Sequence, residues 1–177
     1  MQTDLTARID EARRAGSADE LGNVCARFHG ADVFKAYRFR VFEEGTFEFR
    51  IESPAGADPV GFYLLLGTQR AGRQSGRRAA GDGVILGDGR VEVRLLTLHH
   101  RDLASSACYR YRCSSGVALT YNGYAIPDRV GLSSWGGNSG MIVEQLDSAS
   151  FRFRCSSSHF GEPDFSSLVY CLTFRPP

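Results

Sequence analysis

The stretch Tyr109-Arg110-Tyr111-Arg112-Cys113-Ser114-Ser115 alternates aromatic and arginine side chains with a period of two. It returns as Phe151-Arg152-Phe153-Arg154-Cys155-Ser156-Ser157, and more loosely as Tyr37-Arg38-Phe39-Arg40-Val41. Successive side chains of a β-strand point to opposite faces, so each copy reads as a strand with buried rings and wet arginines. The copies are too few and too unevenly spaced for a solenoid. They make the chain mainly β, with aromatics as the material of its core.

Working outward, Tyr37, Phe39 and Val41 are followed by Phe47, Phe49 and Ile51, with Glu43-Glu44-Gly45-Thr46 between them. This pattern predicts a β-hairpin. An odd loop of three or five residues joins the two apolar faces, because a one-residue slip turns every side chain over. Val60-Gly61-Phe62-Tyr63-Leu64-Leu65-Leu66 is continuously apolar and predicts a strand covered on both faces. Residues 84–86 and 91–98 flank the turn Gly87-Asp88-Gly89-Arg90 and predict a second hairpin. Residues 107–113, 117–121, 141–146, 150–155 and 168–174 are further strands, and Asn122-Gly123 reads as a hairpin turn. Residues 68–82 read as a basic loop and 133–140 as a Gly/Ser loop. Dense hairpin signals of this kind predict an antiparallel β-sandwich or jelly roll, with a closed β-barrel as the alternative.

Upstream of the strands, residues 3–29 read as helical. Leu5, Ile9 and Ala12 share one face before Gly16. Ser17-Ala18-Asp19-Glu20 then has capping-box spacing ahead of Leu21, Val24, Cys25 and Phe28. Helices this short need a docking surface. The expected organisation is one domain over 1–177, a helical segment at 3–29 and a sandwich over 33–175.

A chain of 177 residues is long enough for one substantial core. Its hydrophobic share of 42% excludes global disorder. A formal charge of +1 argues against a general nucleic-acid or membrane-surface binder. No window approaches the roughly 18 apolar residues of a membrane span. The first residues lack the apolar core of a signal peptide, so a cytoplasmic location or membership of a larger assembly is expected. The five cysteines, Cys25, Cys108, Cys113, Cys155 and Cys171, include no C-x-x-C pair and read as mostly buried thiols. A disulfide between Cys113 and Cys155 would need their strands to be neighbours.

Residues 33–66 carry a resemblance, on Tyr37-Arg38-Phe39-Arg40-Val41, Gly45-Thr46-Phe47-Glu48-Phe49, Ser53 and Tyr63-Leu64-Leu65-Leu66. Their rhythm resembles the first strands of bacterial pre-peptidase C-terminal domains, compact β-sandwiches appended to secreted enzymes. The resemblance implies a sandwich and a non-catalytic role. This chain departs from the pattern in its helical start and in Gly61-Phe62, where the family carries an aspartate.

Two residue sets stand out as candidate sites. Arg38, Arg40, Arg110, Arg112, Arg152 and Arg154 would project from one side if their strands share a sheet, and would grip phosphate, sulfate or carboxylate groups. The rings lie on the opposite face, which removes a base-stacking surface for nucleic acid. Tyr121, Asn122, Tyr124, Asp128, Trp135 and Asn138 would line a carbohydrate site on loops at one end. Gly136-Gly137-Asn138-Ser139-Gly140 has the look of a serine nucleophile loop but lacks the strand-turn-helix elbow. His99-His100 cannot both face one metal from a strand, and no metal or cofactor is expected. The expected function is a non-catalytic binding or assembly module. A protein partner comes first and a carbohydrate or anionic ligand second. A small β-barrel enzyme with a helical lid is the rival.

Overall fold

The computed structural model describes residues 4–53, 60–67, 84–86, 92–93, 95–99, 106–125, 132–133, 137–156 and 161–177. Among the described residues one helix, α1 (Leu5–Arg14), precedes fourteen strands. These are β1 (Cys25–Phe28), β2 (Ala31–Phe34), β3 (Tyr37–Arg40), β4 (Glu44–Ser53), β5 (Val60–Leu66), β6 (Val84–Leu86) and β7 (Glu92–Val93). They continue with β8 (Leu95–His99), β9 (Ser106–Arg112), β10 (Val117–Ala125), β11 (Leu132–Ser133), β12 (Gly140–Gln145), β13 (Ser150–Ser156) and β14 (Leu168–Arg175).

The strands form two antiparallel sheets. The larger runs β1-β2-β12-β13-β14-β4-β9-β6-β7, and the smaller runs β11-β10-β5-β8 with β3 also on β10. Among the described residues no closed barrel forms, and the arrangement is the expected sandwich. Rings interlock across its interior: Phe62 on β5 stacks on Tyr170 of β14 with centroids 4.0 Å apart, and Phe39 on β3 meets Phe151 of β13 at 4.7 Å. Polar links also join the sheets: the Tyr170 hydroxyl donates to the Thr120 hydroxyl at 2.8 Å, and the Asn122 amide donates to the Ser156 carbonyl at 2.8 Å. Thr120 Oγ1 in turn donates its one proton to the Tyr63 carbonyl at 2.8 Å, so the buried chain of hydroxyls is satisfied. Residues 61–67 are all buried, as their unbroken apolar run requires.

Three expectations about local structure are corrected. The second helix is absent: Ala18 bridges Val24, and Cys25–Phe28 is a strand with Ala26 and Phe28 buried and Arg27 exposed. The apolar residues there satisfy a period of two as well as a helical one, and the turn decides. His29 and Gly30 both have positive φ, 46° and 83°, which fits the tight turn joining β1 to β2.

The hairpin over 37–51 is also absent. β3 pairs with β10 in the small sheet, while β4 pairs with β14 and β9 in the large one. Both strands still turn their rings inward, but the chain crosses from one sheet to the other between them. The second hairpin is met in part, because β6 pairs with β7 and the chain then crosses to β8 beside β5. Third, Asn122-Gly123 is not a turn but lies within β10, opposite Phe62 and Gly61.

Helix α1 is as expected in position and face. Asp4 caps it by accepting the Ala7 N–H at 3.0 Å, Leu5 and Ile9 are buried, and Gly16 follows it with φ 74°. Leu5 packs with Phe28 and Val33, which docks the helix on the β1–β2 end of the large sheet.

Candidate functional site

Three of the six residues of the predicted loop site are described with their side chains, and all three are built into the interior. Tyr121 is buried and stacks on Tyr63 with centroids 4.7 Å apart. Asn122 is buried and donates to the Ser156 carbonyl at 2.8 Å. Asn138 is buried, accepts the Leu5 N–H at 3.0 Å and donates to the Gly161 carbonyl. These three side chains hold the interior and the helix in place. Tyr124 pairs through its backbone with Ser133 and Val60, while Asp128 and Trp135 lie outside the described residues.

The arginine set divides. Strands β9 and β13 share the large sheet with β14 and β4 between them, and Arg110, Arg112, Arg152 and Arg154 alternate with inward rings on its outer face. Arg38 and Arg40 belong to the small sheet. The β13 arginines are partnered. Arg152 binds Glu52 at 2.8 Å and Glu144 at 3.3 Å, and Arg154 lies 3.8 Å from Glu144. The hydrogen bond from Arg152 chiefly holds the Glu52 carboxyl below its ordinary pKa. Arg110 and Arg112 carry no ion pair among the described residues. They flank a cleft of about 210 Å³ with Glu44, Thr46 and Pro177.

Lys35, the chain's one lysine among 21 Lys and Arg side chains, is buried beside α1. Its Nζ donates to the Gly137 carbonyl at 2.8 Å and lies 3.5 Å from the Ser139 hydroxyl. The Thr6 hydroxyl donates to the same carbonyl at 2.7 Å. Burial pushes the ammonium down to about 8, against the opposing pull of Asp4 and Asp10. Gly137 and Asn138 of the loop that resembled a nucleophile loop thus anchor the helix. All five cysteines are free thiols; Cys155 lies on β13, and Cys113 directly follows β9, which is not a neighbour of β13.

A larger cleft, about 470 Å³, opens where β3 of the small sheet faces the β12–β13 hairpin of the large one. Sequence reasoning missed it, because its lining comes from three separate stretches. Tyr37, Phe39 and Phe151 supply rings, and Asp19, Glu20, Leu21, Arg40, Gln145 and Ser148 complete it. Asp19 is committed to its own loop: its carboxylate accepts the Leu21 and Asn23 N–H groups at 2.9 and 2.8 Å and the Asn23 amide at 2.9 Å. Asn23 in turn bonds both backbone groups of Arg38, at 2.6 and 2.8 Å. The 19–23 loop is therefore pinned to the free edge of β3 and forms one wall. Glu20, Arg40, Gln145 and Ser148 are exposed along the rim. Among the described residues no group of His, Cys, Asp and Glu is placed to hold a metal ion, and no helix is long and apolar enough to cross a membrane. No family model, curated protein or solved structure matches the chain.

Proposed function

We propose that this chain is a non-catalytic binding module whose protein ligand seats in the cleft between β3 and the β12–β13 hairpin. The observation that carries the reading is the cleft itself: three aromatic rings under a rim of charged and amide groups, about 470 Å³ in volume. Ligand sites are concave, largely apolar and carry a few convergent polar groups, in volumes of roughly 300–1,000 Å³. The commitment of Asp19 to loop amides supports binding over acid–base chemistry, because its carboxylate oxygens are already taken.

The test is a nuclear magnetic resonance titration with peptide and glycan panels. Saturable shifts confined to Tyr37, Phe39, Arg40 and Phe151, weakened at least tenfold by Tyr37→Ala, are expected. Shifts confined to the outer face of β9, with the cleft silent, would contradict the reading.

An anion-binding reading retains one observation, the cleft between Arg110 and Arg112. Paired guanidinium groups favour phosphate or sulfate. Sulfate titration against Arg110→Ala tests it separately, and equal binding by the variant would remove it.

A further inference from the structure

We infer that the occupant of the large cleft is an extended peptide that adds to the free edge of β3 at Arg40, an inference that rests on the binding role proposed above. Among the described strands β3 has one neighbour, β10. The Val41 N–H bonds the Gly116 carbonyl at 2.9 Å, so residues 37, 39 and 41 turn their backbone groups toward β10. Arg38 turns the other way, and both its groups are taken by the Asn23 carboxamide. Asn23, 3% exposed, thus stands where a residue of an added strand would stand.

Arg40 lies two residues on and turns its N–H and C=O to the same side as Arg38. No hydrogen bond closes that pair among the described residues, and Arg40 is exposed at the rim of the cleft. An open backbone pair on a strand edge is a template for another chain. Strand addition draws affinity from main-chain bonds and specificity from pockets for alternate side chains.

The geometry also sets the chemistry of the occupant. A residue paired with Arg40 turns its own side chain outward, and the residues on either side of it turn inward over Tyr37, Phe39 and Phe151. Those inward positions suit apolar side chains. The lining carries two carboxylates, Asp19 and Glu20, against one guanidinium, Arg40, so basic residues suit the outward positions. A sugar ring offers no N–H and C=O in strand spacing, whereas the Asn23 contact with Arg38 shows an amide meeting that spacing on this edge.

The experiment uses the whole chain and a pool of capped hexapeptides alternating lysine with leucine, valine or phenylalanine. A second pool is the same with alternate backbone nitrogens methylated, and a glycan panel runs beside both. The unmethylated pool is expected to shift Tyr37, Arg40 and Phe151, and methylation to weaken binding at least tenfold. Arg40→Pro removes the edge N–H at a position where a strand tolerates proline. It is expected to weaken binding to the same extent with amide dispersion intact, while Arg40→Ala binds the pool as well as the parent or tighter.

Equal binding of the methylated pool, or unchanged binding by Arg40→Pro, overturns strand addition and leaves the cleft as a binding site. Saturable shifts from glycans alone do the same. A cleft silent to both peptide pools and to the glycans overturns the cleft reading as well. Concentration-dependent shifts of these residues without peptide would make the occupant a second copy of this chain and overturn the peptide.

Discussion

Replacing Lys35 with methionine separates the cost of burying a charge from everything else that titrates. The ammonium is buried and its pKa falls from 10.5 to about 8 on folding. Below pH 8 the lysine is protonated in both states and its contribution is constant. Between about 8 and 10.5 the folded state has released the proton and the unfolded state still holds it, so stability rises with pH. At about 1.4 kcal/mol per pKa unit, the parent should gain about 2 kcal/mol over Lys35→Met between pH 7 and about pH 9.5. The Cys155 thiol, whose pKa burial pushes up, acts in the opposite direction because the unfolded thiol ionises first, but it is present in both proteins and cancels in the difference. The assay is urea unfolding of both proteins across pH 6 to 9.5, under reducing conditions. The constant offset near neutral pH mixes the charge removed with the hydrogen bond to Gly137 lost, and it carries no weight. A difference that stays flat within about 0.5 kcal/mol over the alkaline range would refute the placement of Lys35 in the interior.

Thr120→Val removes the partner of the buried Tyr170 hydroxyl and should cost about 1–3 kcal/mol in chemical denaturation, with Thr120→Val/Tyr170→Phe recovering part of it. Tyr111 carries a buried hydroxyl with no hydrogen-bond partner among the described residues, so Tyr111→Phe should be neutral or stabilising by roughly 1 kcal/mol in the same assay. The Glu52 carboxyl is held below its ordinary 4.5 chiefly by Arg152. Its contribution is present above that value and lost as pH falls through the folded pKa, so Glu52→Gln should flatten the acid limb of a stability profile from about pH 5 downward.

The alternation of rings and arginines at 109–113 and 151–155 carried the fold class, because a period of two fixes which face of a strand is buried. It does not fix the neighbour. Tyr37–Arg40 and the strand at 47–51 each have an aromatic inner face, and that pattern suits a hairpin in one sheet as well as a crossing between two. The register of β3 on β10 is set by residues far along the chain, 117 to 120, which no local pattern reveals. At 25–28 the apolar residues satisfied helical and strand periods together, and the deciding signal was the two-residue turn at His29-Gly30. Asn122-Gly123 had turn chemistry, but the Ser156 carbonyl, thirty-four residues away, satisfies the asparagine inside a strand.

The candidate site was less legible than the fold for the same reason. Tyr37, Phe39 and Arg40 stood out in sequence as strand residues, yet the cleft exists only because β3 left β4 for the other sheet and the 19–23 loop and the β12–β13 hairpin came up on either side. The arginine face was half legible: the copies at 109–113 and 151–155 do share a sheet. Glu52 and Glu144, which neutralise the second copy, sit on strands whose order the sequence does not disclose.

Site-resolved amide hydrogen exchange at residues 38–41 reads directly whether the strand edge at the mouth of the cleft is open. Slow exchange is expected at Phe39 and Val41, bonded to β10, and at Arg38, bonded to Asn23, with fast exchange at Arg40 alone. An Arg40 amide as slow as that of Phe39 in the free protein would mean that the edge is already closed and that no chain adds there.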